Sequence, residues 1–216
     1  MQYNNLLFYI LIYVGLTFGE YFVHKYVMHN KDGSIIRRLY GDSHVKHHLD
    51  VMGDMTLKDD HNEKGLYFNI QGMLLMSMCN FMVFYIIRLI LDIDLSNAYI
   101  LMISVSIAGI YGLIWNNLHC VFHKLYGDID TYNFYVRWSY KNHAYHHLQK
   151  GDDKGNYNII LPGADQILGA YRTCVNNLTY CTTGQVTPNN KELCEREKRG
   201  EEMEHGLKFC ATKQRD

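Results

Sequence analysis

Residues 68–118 read FNIQGMLLMSMCNFMVFYIIRLILDIDLSNAYILMISVSIAGIYGLIWNNL. Two apolar runs, Phe68–Leu91 of 24 residues and Ala98–Leu118 of 21, are joined by the six residues Asp92–Asn97. A hydrocarbon core about 30 Å thick needs roughly 20 apolar residues of α-helix, so both runs can cross and the short link makes them a transmembrane hairpin. A buried soluble hairpin would need several further amphipathic elements to cover it, and too little chain remains to supply them.

Toward the N-terminus, Leu6–Val23 (LLFYILIYVGLTFGEYFV) is a third run of 18 residues, about 27 Å as a helix. No Lys or Arg precedes it, Glu20 lies inside it and no small-residue cleavage site follows, so it reads as a retained span rather than a signal peptide. The segment Tyr26–Tyr67 holds Lys31, Arg37, Arg38, Lys46, Lys58 and Lys64, with Lys25 just before it. The first five residues and Asp92–Asn97 hold no Lys or Arg. That asymmetry puts the long loop on the cytoplasmic side, and two further spans return everything from His119 onward to the same side.

The 216 residues carry 21 Lys and Arg against 22 Asp and Glu, a formal net charge of -1. Such a balance, with no dense basic block, excludes nucleic acid as a partner. A mean hydropathy of -0.21 hides strong segregation between the apolar runs and a polar C-terminus. The division expected from it is a membrane-embedded domain over 1–175 and a charged tail over 176–216. Within that tail, Thr187–Arg199 (TPNNKELCEREKR) reads as a solvated helix followed by a frayed end.

Twelve histidines are the compositional anomaly, and ten fall into four spaced groups. His24 and His29 form HKYVMH, His44, His47 and His48 form HVKHH, His119 and His123 form HCVFH, and His143, His146 and His147 form HAYHH. One HxxHH triplet would arise by chance in about 4 % of such chains, and two in well under 1 %. Residues three and four apart share a helix face, so each triplet is expected to point three imidazoles into one volume. His24 and His29 are less tidy: five residues turn an α-helix by about 500°, leaving the side chains about 140° apart, so that pair is expected to flank the site or straddle a helix end. Ten imidazoles exceed what one ion can use, which implies two metal ions; imidazole suits iron and zinc alike. His61 and His205, outside the groups, read as ordinary hydrogen-bonded residues. A metal transporter would carry Asp, Glu or His within its spans, and these spans have only Glu20, near an end.

The chain resembles the fatty acid hydroxylase and sterol desaturase superfamily of membrane-bound non-haem dimetal oxygenases. The resemblance runs from Gly19 to Thr173 on GEYFVHKYVMH (19–29), HVKHH (44–48), HCVFH (119–123), NHAYHH (142–147) and the trailing GNYNI with Asp165 and Gly169. It implies an all-α integral membrane protein, here with three spans where the family commonly has four, and a cytosolic helical cap carrying a dimetal site. It implies that His24, His29, His44, His47, His48, His119, His123, His143, His146 and His147 are the metal ligands. It further implies an O2-dependent reaction with electrons from NAD(P)H through a b-type cytochrome, in the endoplasmic reticulum membrane. Five residues before the first span leave no room for a fused haem domain, so the donor is expected to be a separate protein. Where fatty-acyl 2-hydroxylases usually carry a Pro-rich stretch, this chain reads LDVMGDMTLKDD (49–60).

The expected reaction is hydroxylation of a lipid C–H bond, most simply on a fatty acyl chain drawn from the bilayer. Hydrogen abstraction from a methylene group needs a redox-active metal, which points to iron even if zinc fills the isolated protein. A sterol or carotenoid oxygenase or a lipid desaturase would use the same scaffold, and a metal-binding membrane protein without catalysis is the non-enzymatic alternative. Histidine ligands donate their second ring nitrogen to a carboxylate or carbonyl, which makes Glu20, Asp42, Asp50 and Asp165 candidates to support them. Cys174, Cys181, Cys194 and Cys210 match no CxxC spacing and are expected to be reduced thiols. The sequon at Asn177 is expected to stay unmodified on the cytoplasmic face, and Tyr21, Tyr26, Tyr67 and Trp115 read as interfacial aromatic anchors.

Overall fold

The computed structural model describes residues 2–29, 38, 41–58, 67–149, 154–175, 188–199, 201 and 203–210. His61, Cys181 and the sequon at Asn177 lie outside them. The α-helices are α1 (Gln2–Phe22), α2 (Asp42–Asp50), α3 (Ile70–Ile90), α4 (Asn97–Phe122), α5 (Phe134–Leu148), α6 (Ala164–Ile167) and α7 (Pro188–Arg199). The described residues form no strand, only two isolated bridges, Val51 with Leu57 and Val175 with Phe209.

Polar side chains set where the helices begin. Asn69 accepts from Gly72 N–H at α3, Ser96 from Tyr99 N–H at α4, and Asn133 from Tyr135 and Val136 N–H at α5. Three helical stretches are long and apolar enough to cross a membrane: Asn5–Met28, Ile70–Ile90 and Asn97–Phe122. Only 17 to 28 % of their apolar windows is buried within the chain, so most of that surface is left for lipid, as a multi-pass membrane protein requires. α1 packs on the hairpin through Phe8, Ile12, Phe84, Ile93 and Ile100.

α4 runs four residues beyond the apolar run, which carries His119 on the helix itself and leaves His123 as its C-terminal cap. α1 continues directly into a π-helical segment, Val23–Met28. There His29 N–H donates to His24 O at 3.2 Å, the i+5 closure of a widened turn. The 140° separation expected for an α-helix is therefore corrected: one wide turn stacks His29 on His24, with ring centroids 5.3 Å apart and planes 20° apart.

Beyond the spans, one core gathers Val51, Met55, Trp115, Phe122, Ile129, Tyr140, Ala144 and Ile159. Met203 and Leu207 enter the same core, so past α7 the described tail folds back onto α5 instead of fraying. The reduced-thiol expectation is also corrected. Cys174 and Cys210 form a disulfide that ties the end of the cap to the tail, and Cys194 is disulfide-bonded too. Tyr21 and Trp115 are buried rather than interfacial, Tyr21 against Tyr157 and Trp115 against His119, because the cap covers that end of the bundle. Tyr26 and Tyr67 remain exposed.

Candidate metal centre

The four histidine groups converge at one end of the bundle, and nine of the ten imidazoles are buried. They sort into two sets of five. His24, His29, His44, His48 and His146 form the first, and His47, His119, His123, His143 and His147 the second; within each, one ring nitrogen per residue lies within 4.8 Å of the others. The expectation that each triplet serves one volume is corrected here. His44 and His48, at i and i+4 of α2, join the first set while His47 turns to the second. On α5 the pattern inverts: His143 and His147 join the second set and His146 turns to the first. The cause is helix geometry, since adjacent residues diverge by about 100°.

In the first set, five Nε2–Nε2 separations lie between 2.9 and 3.1 Å: His24–His44, His44–His29, His44–His48, His29–His146 and His146–His48. In the second, the Nε2 atoms of His123 and His143 are 3.1 Å apart. Two donors bound at right angles to one ion at about 2.1 Å lie about 3 Å apart, so these separations match the edges of a coordination polyhedron.

The opposite ring nitrogens fix the tautomers. His24 Nδ1 lies 2.8 Å from Tyr157 O, His146 Nδ1 2.8 Å from Gly155 O and His123 Nδ1 2.9 Å from Met55 O. A carbonyl oxygen can only accept, so Nδ1 carries the proton and Nε2 of all three is a bare lone pair aimed at its neighbours. Lone pairs facing each other at that distance repel unless a cation lies between them. Both ring nitrogens of His147 and Nδ1 of His143 are buried with no hydrogen-bond partner among the described residues. An unsatisfied buried nitrogen costs about 1–3 kcal/mol, and a metal ion at Nε2 would offset that cost for the Nε2 atom of His147. Burial holds the imidazoles of His44, His48, His143, His146 and His147 well below their ordinary range, and charge on neighbouring imidazoles would push the same way. Neutral imidazole is the form that binds a metal. By donor type, spacing and protonation, each set can hold a metal ion.

Of the four carboxylates, Glu20 and Asp165 bond the main chain of one segment. Glu20 accepts from Ile159, Ile160 and Leu161 N–H, each at 3.0 Å, and from Tyr111 Oη at 3.0 Å. Asp165 accepts from Tyr157 N–H at 3.1 Å and Asn158 N–H at 2.6 Å. Both therefore hold the segment whose carbonyls orient His24 and His146, one step removed from the rings. Asp42 stands in the first turn of α2, and Asp50, at its last, lies 3.9 Å from Lys58 Nζ. Sequence reasoning missed the acceptors themselves, Met55, Gly155 and Tyr157, because every residue has a carbonyl. In the structure Met55 and Asn156 have a positive φ of 71° and 54°, uncommon for non-glycine residues, at the turns that carry these carbonyls. Asp128, Asp130 and His205 also cluster, but at the surface. There His205 Nδ1 bonds Asp130 Oδ2 at 3.0 Å, the ordinary role expected for it.

A three-span helical membrane protein bearing two five-histidine clusters at one end of its bundle is the class this geometry defines. A family model for fatty acid hydroxylase matches residues 9–170, and the chain belongs to that family, within the fatty acid hydroxylase and sterol desaturase superfamily. Neither a curated protein nor a solved structure matches the chain.

Proposed function

We propose that this protein is an O2-dependent monooxygenase that hydroxylates a C–H bond of a lipid, most simply a fatty acyl chain, using two metal ions held by the ten histidines. The observation that carries this reading is the pair of five-imidazole sets at the membrane end of the bundle, in a chain of this family. A bound, redox-active metal pair supplies the O2 chemistry that side chains lack, and iron meets that need where zinc does not. His24, His29, His44, His48 and His146 hold one ion and His47, His119, His123, His143 and His147 the other. The chain's own contribution is to keep these rings neutral, to fix the Nδ1 proton on His24, His123 and His146 by main-chain acceptors, and to exclude water by burying the cluster. The electrons come from NAD(P)H through a separate b-type cytochrome.

The test is expression in cells lacking lipid hydroxylases, with lipids compared by mass against a His143→Ala, His147→Ala variant. A gain of about 16 Da with the intact protein alone supports hydroxylation, a loss of about 2 Da supports desaturation, and no change overturns both.

We place the protein in the endoplasmic reticulum membrane with the histidine end toward the cytosol, on the Lys and Arg asymmetry of its short loops. The Cys174–Cys210 disulfide, on that same end, favours the opposite side, since persistent disulfides belong to oxidising compartments. Protection of the C-terminal tail from protease in sealed microsomes would decide for the lumen; digestion would decide for the cytosol.

A further inference from the structure

The chain between Asn156 and Ala170 leaves the level of the histidines and returns to it. Its ends are tied together there: Asn156 N–H donates to Ala170 O at 3.0 Å, and the Asn156 side chain accepts from Arg172 N–H at 2.6 Å and donates to Arg172 O at 2.9 Å. Between those ends it descends along α1. Glu20 accepts from three consecutive N–H groups, Thr17 Oγ1 donates to Leu161 O at 3.1 Å and accepts from Ala164 N–H at 3.0 Å, and Tyr13 Oη donates to Pro162 O at 2.6 Å. Thr17 and Tyr13 are six and ten residues inside Val23, the histidine-side end of the apolar run, which is about 9 and 15 Å along a helix.

From Ile159 to Ala164 the main chain is satisfied from within the protein. Ile159 O accepts from Ser139 Oγ at 2.7 Å and Ile160 O from Tyr135 Oη at 2.6 Å. Gly163 N–H donates to Gln166 Oε1 at 2.8 Å, and Gly163 O and Ala164 O accept from Ile167 and Leu168 N–H. With the Tyr13, Thr17 and Glu20 bonds, every N–H and C=O from Ile159 to Ala164 has a partner. A loop in water needs no such provision. Non-helical backbone at bilayer depth persists only where protein supplies the partners, because hydrocarbon supplies none. Toward the outside, beside Gln166, Ile167 is 68 % exposed and Leu168 44 %, and on α1 Tyr13, Val14 and Phe22 are exposed as well.

The geometry points to residues 158–168 as a re-entrant turn seated in the histidine-side leaflet, with Ile167 and Leu168 against the acyl chains of bilayer lipid. It walls one flank of α1 that three spans alone would leave bare, and it stands whatever chemistry the histidines perform.

The test places a nitroxide on Ile167→Cys in the full-length protein, with the exposed Cys79 replaced by serine, in phosphatidylcholine vesicles. Leu168→Cys is the second site in case the first variant fails to fold; Val14→Cys and Asp128→Cys are the bilayer and water references. Power saturation compares collisions with O2, concentrated in lipid, and with a water-soluble nickel chelate. The expected O2-to-nickel ratio at 167 or 168 is several-fold above that at 128 and close to that at 14. A ratio like that at 128 overturns the proposal. So does dipolar broadening that vanishes on dilution with unlabelled chain, because a second copy would then cover the turn.

Discussion

His47 and His48 are neighbours in sequence and belong to different sets, as do His146 and His147. Their separation follows from the 100° step of the helix, and it makes the two sets separable by single substitutions. His48→Ala should remove one ion and leave the other, so metal content falls from about two to about one per chain. His47→Ala should do the same at the other set, and the double variant should retain almost none. Elemental analysis of the purified variants checks this; if either single substitution empties both sets, the two do not load independently. All ten histidines are legible in the sequence, because their spacing is improbable by chance. Their partition is not, since i+3 and i+4 are both within reach of a shared face and only the position of the second helix decides which way each ring turns. The acceptors behind the rings are hidden for a different reason: a main-chain carbonyl leaves no mark on residue identity.

At the scale of elements, hydropathy locates the three spans to within a few residues, since roughly 20 apolar residues have no other economical use in a chain this short. The π-helical turn Val23–Met28 is what the sequence conceals. HKYVMH has the wrong spacing for an α-helix, and only the i+5 closure of His29 on His24 brings the pair into register. The register can be tested by changing it. Deleting Val27 leaves the two histidines four apart, a spacing that an ordinary α-helix places on one face, so that variant should keep about two ions per chain. Inserting one alanine between Tyr26 and Val27 turns His29 away by about 80–100° and should reduce the content to about one. The reverse order would show that the widened turn does not set the pair. The segment 155–161 is legible as a motif but not in its fold, which comes from Glu20, 139 to 141 residues from the N–H groups it accepts from, and from Asp165, seven and eight residues from its own.

For the whole molecule, composition marks the apolar spans and the polar C-terminus, but the docking of the tail is not readable from it. Met203 and Leu207 are isolated apolar residues in a polar stretch, and only tertiary contact shows that they belong to the main core. The molecule as a whole also carries a pH dependence with a definite sign. Burial holds His44, His48, His143, His146 and His147 well below the ordinary imidazole value of 6.5 in the folded chain. Below pH 6.5 the unfolded chain binds protons that the folded chain refuses, so the stability due to these groups is complete above that pH and lost as pH falls. One proton refused in full withdraws at most about 1.4 kcal/mol per pH unit, so several such groups make the slope steep. Metal binding adds to the slope in the same direction, because an ion and a proton compete for the same nitrogen. The thermal midpoint of the metal-free protein in detergent should therefore fall steeply from about pH 6.5 downward, and the metal-loaded protein should release its metal over the same interval. Substituting His143 and His147 together by glutamine should flatten the curve even as it lowers the midpoint at neutral pH; a midpoint independent of pH over that range would mean that the folded chain takes up protons on these rings as readily as the unfolded chain does.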